Sequence, residues 1–375
     1  MVDDVIVVGV GGMGSAAADA LAGRGQQVLA LEQFEIAHGR GASHGRTRIV
    51  RQAYFESPAY IPLLRRAYAL WDDLPSAWSL RRVGCLMLGA AGSPVVTGAA
   101  ASAAAWDIAV QTLTAPEVRR RFPQFAPRPD DVAVLETDAG YVRPEETVAF
   151  LAGRARRRGA TVLTGERVLD WELTGQGVRV RSTGGVHEAR RLVLTAGAWT
   201  PGLAGSLGLP IRVERRVMHF YEPSADQRGF GPALMPTFIW DLDSGDSIYG
   251  FPRDGADGVK VGFHDRGPET DPDQPQPDGS PEEVEAMRAV LAERLPDVPG
   301  RHVRSVGCTY AMTPDHDFVL GLVPGTEDRV VVAAGFSGHG FKFVPVVGEV
   351  LADLAIEGQT PFDLGFLAPG RFVRP

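Results

Sequence analysis

The sequence predicts an α/β protein that carries a second, α+β domain built on a mixed sheet. Two observations support this prediction. A strand, a glycine-rich turn and a helix follow one another at the N terminus, and further strand-like segments occupy residues 206–304. A chain of 375 residues with 44% apolar content is long enough for two domains with sizeable cores.

The N-terminal unit matches a Rossmann-like dinucleotide-binding motif. The apolar strand Val5–Val8 leads into the turn Gly9–Gly14 and an alanine-rich helix. In this motif the first glycine allows the turn, the second lets the backbone approach a pyrophosphate, and the third permits close packing of helix on strand. A second strand at 28–31 ends at Glu32, close to the spacing of about 20 residues at which an acid binds the ribose. The motif alone does not distinguish FAD from NAD.

A second unit near the middle of the chain has a similar character. Pro144 begins a helix with an arginine-rich last turn, and strand-like segments follow at 161–164, from Val168 to about residue 186, and at 192–199. The dinucleotide-binding domain is therefore expected in separated pieces. The predicted ranges are 1–80, 140–205 and 305–375 for this domain, and 81–139 and 206–304 for the substrate domain.

Local signals mark the ends of several elements of the second domain. Thr114–Glu117 and Ser280–Glu283 match the capping box that begins helices. The alanine-rich run 99–105 predicts a helix. Residues 266–281 are rich in proline and acidic residues and predict a surface loop.

Composition excludes several classes of protein. A formal net charge of -8 argues against nucleic acid or an anionic membrane as the main partner. No apolar run has the length of a membrane span, and the start of the chain lacks the pattern of a signal peptide, so a cytoplasmic location is expected. Two cysteines without a CxxC spacing support neither a disulfide framework nor a zinc site, and no metal is expected.

Three further segments gather polar residues. Residues 43–51 contain His44 and three arginines, which suits either a solvated loop or an extended segment passing a ligand. Lys260 and His264 would share one face of an extended strand, although such residues usually lie at the surface. Cys308 and the glycine-dense segment 335–342 bring a thiol, a tight turn and a lysine together, which suggests a cofactor pocket. Cys85 is interpreted as a small buried residue.

These segments resemble the flavoprotein amine oxidases of the monomeric sarcosine oxidase and N-methyltryptophan oxidase family. The resemblance rests on Cys308–Asp315, on Gly335–Lys342, and on the pattern formed by His44, Thr47, Arg48 and Arg51. It covers nearly the whole chain and implies a FAD-binding domain of the glutathione reductase and D-amino-acid oxidase type. It also implies FAD attached to Cys308 through a thioether. The chain departs from many relatives at Arg46 and Gln52, which affects the local charge and substrate preference.

The motifs and the resemblance together assign site residues. Those expected to act on substrate or oxygen are Lys260, Arg48, His264, Tyr249, Arg51 and Lys342. Those expected to contact the cofactor are Gly9, Gly11, Gly12, Met13, Gly14, Glu32, Gln33, Ser43, His44, Thr47, Arg48, Val168, Gly197, Trp199, Cys308, Gly335, Gly338, His339, Gly340 and Lys342.

The resemblance implies oxidation of a secondary amine, such as an N-methyl or cyclic amino acid. Hydride transfer to flavin N5 would give an imine that hydrolyses, and O2 would be reduced to H2O2. Arg51 and Lys342 would bind the substrate carboxylate, and Lys260 would promote the reaction with oxygen. Two alternatives remain open: an amine dehydrogenase or imine-forming tailoring enzyme with another electron acceptor, and a flavin-holding binding protein without turnover. The expected partners are a small amine and O2, and family precedent favours a monomer.

Overall fold

The computed structural model describes residues 3–204, 207–224 and 226–372. The helices, in chain order, are α1 Gly12–Gly23, α2 Ile61–Asp72, α3 Pro94–Trp106, α4 Ala115–Arg121, α5 Pro144–Arg157, α6 Thr200–Leu203, α7 Pro281–Arg294 and α8 Val344–Glu357. The strands, in chain order, are β1 Asp3–Val8, β2 Val28–Glu32, β3 Arg48–Val50, β4 Arg81–Arg82, β5 Cys85–Ala90, β6 Gln111–Thr114, β7 Asp131–Glu136, β8 Gly140–Val142, β9 Thr161–Thr164, β10 Val168–Leu173, β11 Val178–Ser182, β12 Val186–Leu194, β13 Arg212–Glu222, β14 Thr237–Asp241, β15 Ser247–Phe251, β16 Val259–Phe263, β17 Arg301–Met312, β18 Val319–Leu322 and β19 Val330–Ala334.

The first sheet is parallel at its centre. β1 pairs with β2 on one side and with β12 on the other, and β12 also pairs in parallel with β19. Strands β9, β10, β11 and β18 complete the sheet. Since the central strands run in one direction, their carboxyl ends meet at one edge, where Glu32 ends β2 and Gly9, Thr195 and Gly335 follow β1, β12 and β19. Open α/β sheets bind ligands at this edge.

Helices α1 and α8 pack together against the first sheet. Gly348 allows this close approach, because a Cβ atom at this position would lie 2.7 Å from the carbonyl carbon and Cβ of Ala16. The helix α8 has Pro345 in its first turn and ends at Gly358, whose φ of +73° suits the left-handed end of a helix.

The second sheet has the order β17-β13-β16-β15-β14-β5-β7-β6 and is mixed, since β14 and β5 are parallel. Val118 of α4 and Met287 and Leu291 of α7 pack in one core with its strands. A separate cluster contains Cys308 and Tyr310 of β17 together with residues of β13. A short sheet, β3-β8-β4, connects the segment 43–51 to this part of the molecule.

The prediction of an α/β fold with a mixed second sheet is confirmed. Both capping boxes are present, at Thr114 and Ser280, and the helix expected at 99–105 is part of α3. The predicted domain boundary at 205–206 lies outside the described residues. The division into two domains stays a prediction.

The α1–α8 contact predicts the effect of one substitution. Gly348→Ala should lower the free energy of unfolding by about 1–3 kcal/mol, because the added methyl group forces the two helices apart. Thermal and denaturant unfolding would measure this change.

Gly153 provides a matched control within α5. A Cβ atom there would meet only the flexible Nη1 of Arg157, at 3.4 Å, among its nearest described atoms. Gly153→Ala should therefore stabilise the protein by about 0.5–1 kcal/mol, since alanine favours the helix more than glycine does. Equal stabilisation by both substitutions would contradict the packing assigned to Gly348.

Candidate active site

A cavity of about 650 Å³ lies at the carboxyl edge of the first sheet, and we call it the sheet-edge cavity. Its walls include the turn after β1, Glu32 at the end of β2, Val168 at the start of β10 and Gly197 after β12. This volume falls within the roughly 300–1,000 Å³ typical of ligand sites. The cavity therefore joins the segments for which the sequence predicts dinucleotide contacts.

Close backbone contacts require glycine at two positions of the turn after β1, as the motif predicts. Gly9 has a φ of +85°, and a Cβ atom there would lie 2.7 Å from the carbonyl oxygen of Thr195. A Cβ atom at Gly14 would collide with the carbonyl oxygen of Gly9. At Gly11 the nearest atom would be Ser43 Oγ, at 3.7 Å, so the backbone is open to a ligand there. The glycines thus serve the turn, the helix packing and ligand approach.

Glu32 is buried and holds the turn in place. Its carboxylate accepts hydrogen bonds from the N–H groups of Val10, at 2.8 Å, and Phe34, at 3.0 Å. Burial would raise the pKa of Glu32, but His38 and these backbone donors outweigh burial and lower it. An ionised carboxylate can accept about four hydrogen bonds, so Glu32 retains capacity for a ribose hydroxyl.

The proline-rich stretch 266–281 forms part of the same cavity. Residues 269–273 line it, and Asp273 accepts hydrogen bonds from Trp199 Nε1, at 2.8 Å, and Arg167 Nη2, at 2.7 Å. Arg215, only 8% exposed, donates to the carbonyl groups of Pro277 and Asp278 and fixes the other end. The prediction of a surface loop is confirmed, since most of this stretch is irregular and exposed, and polar anchors additionally hold it beside the cavity.

A second cavity of about 380 Å³ lies beside the first. The wall shared by the two cavities consists of Arg48, Tyr310, Ser337, Gly338 and Phe341. Apolar and charged side chains form the rest of the second cavity, including Ile49, Arg51, Phe55, Glu56, Val95, Ile239, Tyr249, Phe251, His264, His339 and Lys342. A planar group at the shared wall would face both cavities.

Arg51 forms a buried ion pair with Glu56 in the second cavity. Its side chain is 1% exposed, and Nη2 donates to both carboxylate oxygens of Glu56 at 2.7 Å. Its guanidinium also lies 4.1 Å from the ring centroid of Phe55. Burial would raise the pKa of Glu56, but Arg51, with help from His339 and Lys342, outweighs burial and lowers it to about 2. Glu56 is thus an anion already bound where a substrate carboxylate is expected.

Lys342 lies close to Arg51 in the same cavity. Its Nζ donates to the carbonyl oxygen of His339 at 2.7 Å, and its side chain is 4% exposed. Burial lowers the pKa of Lys342 to about 7, and the positive charge of Arg51 acts in the same direction. Its charge therefore changes within the physiological pH range.

Tyr249 and His264 also line the second cavity, next to Tyr310 on the shared wall. Tyr249 and Tyr310 are hydrogen-bonded through their hydroxyl groups, and the rings of His264 and Tyr310 are 5.6 Å apart. Burial raises the pKa of Tyr249 well above its usual value and lowers that of His264. Both side chains are therefore uncharged at neutral pH.

Arg48 connects the two cavities with the neighbouring backbone. Its Nη1 donates to the carbonyl group of Thr47 at 2.8 Å, and its Nη2 donates to that of Ala42 at 2.7 Å. Nη2 also lies 3.9 Å from the sulfur of Cys308. These contacts hold a cation at the shared wall.

Lys260 lies behind the segment 43–48 instead of lining either cavity within the described residues. Its Nζ donates to the carbonyl groups of Gly45 and Thr47 at 2.8 Å, and burial, together with Arg48, lowers its pKa well below the usual value. Strand β16 ends at Phe263, so His264 lies beyond it and only His264 reaches the second cavity. The expectation that Lys260 and His264 share one strand face is wrong for this reason.

Cys308 is 2% exposed on β17, opposite Arg216 of β13. Its sulfur contacts the carbonyl oxygen of Gly41 at 3.8 Å, and Gly41 and Arg48 both line the sheet-edge cavity. Burial raises the pKa of the thiol, while Arg48 and Lys260 oppose this shift. The sulfur therefore lies directly behind the cavity wall.

The structure brings most of the predicted cofactor residues to the sheet-edge cavity. Those that line it are Gly9, Gly11, Gly12, Met13, Glu32, Gln33, Ser43, Arg48, Val168, Gly197, Trp199, Gly335, Gly338 and Gly340. His339 and Lys342 line the second cavity instead. Gly14, His44, Thr47 and Cys308 support the walls from behind.

Sequence reasoning missed Glu56, Tyr310 and Asp273. Tyr310 carries a usable signal, because it lies two residues beyond Cys308 in a strand and so shares its face. Glu56 and Asp273 give no such signal, since both depend on partners far away in sequence or on the path of a loop.

The residues present fit a dinucleotide such as FAD. Nε2 of His44 is buried without a hydrogen-bond partner among the described atoms, and Gly11 leaves the backbone open at the cavity. Burial lowers the pKa of His44 to about 4, so this imidazole is neutral.

Within residues 3–204, 207–224 and 226–372, no group of His, Cys, Asp or Glu side chains is arranged to hold a metal ion. The helices of these ranges are all too short or too polar to cross a membrane.

Comparisons with known proteins agree with this geometry. Monomeric sarcosine oxidase of Streptomyces avermitilis is 44% identical over 376 residues, which cover 99% of this chain and 98% of the relative. N-methyl-L-tryptophan oxidase of Citrobacter koseri is 33% identical over 385 residues, 99% of each protein. The solved structure of NikD, an unusual amino acid oxidase essential for nikkomycin biosynthesis, has a TM-score of 0.84 at 28% identity, covering 98% of this chain and 97% of NikD.

Glycine oxidase of Geobacillus kaustophilus has the same fold, with a TM-score of 0.83 at 22% identity over 98% of both chains. The family model described as FAD dependent oxidoreductase matches residues 4–354. The chain belongs to this family of FAD-dependent oxidoreductases.

Proposed function

We propose that the protein oxidises an N-methyl or other secondary amino acid with bound FAD and passes the electrons to O2, so that H2O2 is released. The pairing of Arg51 with Lys342 in the second cavity carries this proposal, because two buried cations beside the shared wall suit the carboxylate of an amino acid. The names of the two relatives, a sarcosine oxidase and an N-methyl-L-tryptophan oxidase, support the same substrate class.

Bound FAD supplies the two-electron acceptor and, once reduced, the electrons for O2. The substrate loses a hydride, which carries two electrons, from its C–H bond and a proton from its N–H group. It becomes an imine, which water hydrolyses. Arg51 and Lys342 hold the carboxylate and thereby fix the C–H bond relative to the shared wall, which accelerates the reaction by orientation. The uncharged Tyr249 and His264 add no positive charge beside the amine.

The substrate carboxylate competes with Glu56 for Arg51. Arg51 gives its Nη2 hydrogen bonds to Glu56, whereas its Nε has no partner among the described atoms, so a substrate carboxylate can bind at Nε and competes with Glu56 only at Nη2.

An imine-forming enzyme of specialised metabolism is the second candidate. The likeness to NikD favours its biosynthetic role, as that protein is essential for nikkomycin biosynthesis, although NikD itself is named an oxidase. In that case an electron acceptor other than O2 would reoxidise the flavin, and amine would reduce the flavin quickly while oxygen uptake stayed slow. We also propose that the protein is a monomer and lies in the cytoplasm. The name of the relative, monomeric sarcosine oxidase, supports the monomer.

The carboxylate role of Arg51 predicts a change of substrate preference. Arg51→Met should raise KM for N-methyl amino acids roughly 10- to 100-fold, the effect of losing hydrogen bonds to a charged group. KM for the matching N-methyl amines without a carboxylate should stay within about 3-fold. A panel of such substrate pairs, scored by H2O2 release, measures both values.

Glu56 provides the control for this experiment. Arg51→Met leaves Glu56 buried without its main cation, so the substitution is also made together with Glu56→Gln. Glu56→Gln alone should lower KM for the amino acids, since the competing carboxylate is gone. Absence of H2O2 with every amine in the panel would refute the proposed oxidase, and equal losses for both members of each pair would refute the role of Arg51.

Substitutions of the two cysteines test the proposed thioether bond between Cys308 and FAD. We expect Cys308→Ser to leave FAD extractable by acid, because the position lacks the sulfur that forms the bond. Cys85→Ser should keep the flavin on the polypeptide, as Cys85 is a buried thiol whose pKa burial raises to about 11. Intact-mass measurement of the denatured chain reads out both variants. A wild-type chain with the mass of the bare polypeptide would exclude the attachment.

Lys260 is proposed to promote the reaction of reduced flavin with O2 by placing charge near Arg48. Lys260→Met should slow reoxidation roughly 100-fold, in the range seen when one stabilising donor is removed. Anaerobic reduction by the amine should change far less. Stopped-flow measurement of the two half-reactions separates these effects, and equal slowing of both would assign Lys260 to support of the segment 43–48 alone.

A further inference from the structure

Tyr54 contacts both cations of the second cavity from behind its wall. Its side chain is fully buried, and its ring centroid lies 4.7 Å from Arg51 Cζ and 4.9 Å from Lys342 Nζ. Both distances are within the range of about 6 Å over which an aromatic ring attracts a cation. One ring therefore contacts the two side chains assigned to the substrate carboxylate.

The position of this ring is fixed by His339. The Tyr54 hydroxyl is hydrogen-bonded to His339 Nδ1, and His339 Nε2 lies 3.1 Å from the carbonyl oxygen of His316. Since a carbonyl oxygen can only accept, Nε2 carries the proton and Nδ1 accepts from Tyr54. Burial lowers the pKa of His339 to about 3, so this neutral form persists at physiological pH.

The same residue also fixes Lys342. Its ammonium donates to the backbone carbonyl oxygen of His339 at 2.7 Å. On the other side of the ring system, Ser102 Oγ donates to the carbonyl oxygen of Tyr54 at 2.6 Å. The ring and the ammonium are thus both hydrogen-bonded to His339, the ring through its hydroxyl and the ammonium through the backbone carbonyl.

Buried cations in one site repel each other and need compensation. Glu56 compensates for Arg51, but it occupies the Nη2 donors and leaves Nε as the N–H without a partner among the described atoms. The face of an aromatic ring attracts a cation through its quadrupole and uses no N–H donor. A ring in this place stabilises both cations and leaves their donors available.

We propose that Tyr54 is a positioning residue that holds Arg51 and Lys342 in place for one substrate carboxylate, with its ring fixed by His339. This inference rests on the proposed function, because it requires a substrate with a carboxylate group. Tyr54 acts through the two cations and does not itself line the second cavity among the described residues.

Fluorinated phenylalanines at position 54 test the role of the ring. Fluorine weakens the quadrupole step by step with almost no change in size. Every member of the series lacks the hydroxyl, so the loss of the hydrogen bond to His339 is constant along the series. The probe is propionate, a carboxylate without an amine to oxidise, titrated into the holoenzyme and followed by flavin absorbance. From phenylalanine to trifluorophenylalanine, the Kd of propionate should rise stepwise, by roughly 5- to 30-fold in total. Tyr54→Leu should produce the loss in one step, and a Kd independent of fluorine number would overturn the proposal.

The pH dependence provides a readout that a packing role would not change. The charged or titratable groups that interact with Lys342 among the described residues are Arg51, Glu56, His339, His264, Cys85 and Tyr54 itself. As the pH rises through the pKa of Lys342, the ammonium loses its charge and propionate binding weakens. A weaker quadrupole stabilises the ammonium less, so this loss should occur at lower pH in the fluorinated variants. Weaker binding with an unchanged pH profile would show that the ring only fills space.

Tyr60 is the matched control. Its ring is 5.1 Å from that of Tyr54 in the same aromatic cluster, and its hydroxyl donates to Asp317 at 2.9 Å. Tyr60→Phe should leave the Kd of propionate unchanged, and a rise equal to that of the Tyr54 variants would contradict the proposal. A wild-type holoenzyme that binds propionate and releases H2O2, combined with a flat fluorine series, would refute the role of Tyr54 alone. Failure of the wild type in both assays would refute the proposed function itself.

Discussion

The burial of basic side chains around the two cavities is the constraint on which the rest of this structure depends. Arg51, Lys260 and Lys342 are each 4% exposed or less. A buried charge is costly unless it is paired and hydrogen-bonded, so each of these groups requires acceptors in fixed places. The backbone of residues 43–48 supplies them for Lys260, Glu56 for Arg51, and the turn 335–342 for Lys342. The walls of both cavities are thus fixed by charge compensation as well as by apolar packing.

This constraint also connects the two cavities. Arg48 lines both of them, and it donates to the backbone of Ala42 and Thr47, while Ser43 Oγ accepts from the N–H of Gly12 in the turn after β1. The segment 43–48 therefore touches the glycine turn on one side and the shared wall on the other. A ligand at the sheet edge and a substrate in the second cavity are positioned by the same short stretch of backbone.

The sequence predicted the first sheet and its glycine turn because these depend on local signals: an apolar strand, glycines at fixed spacing and an acid after the next strand. Arg51, His264 and Lys342 were predicted to act on the substrate, through the resemblance, and all three line the second cavity. The expectation that Lys260 and His264 share a strand face was wrong, because strand alternation does not reveal that the strand ends at Phe263. The role of Lys260 with oxygen stays a prediction. Glu56, Tyr54 and the path of residues 266–281 could not be predicted, since their roles arise from contacts between segments distant in sequence.

The two departures from the family pattern lie outside the substrate cavity. Arg46 has a φ of +73° and pairs with Asp257 at the surface, and Gln52 is held through its backbone N–H by Glu136. Neither residue lines the second cavity in the described part of the chain, so neither meets the substrate directly. Under the proposed function, the apolar walls formed by Phe55, Val95 and Ile239 would set the selectivity among amino acids. Because hydrophobic walls distinguish substrates that differ by a methylene only about 10- to 200-fold, such walls would set size limits, and the proposed recognition of the carboxylate would fall to the buried cations.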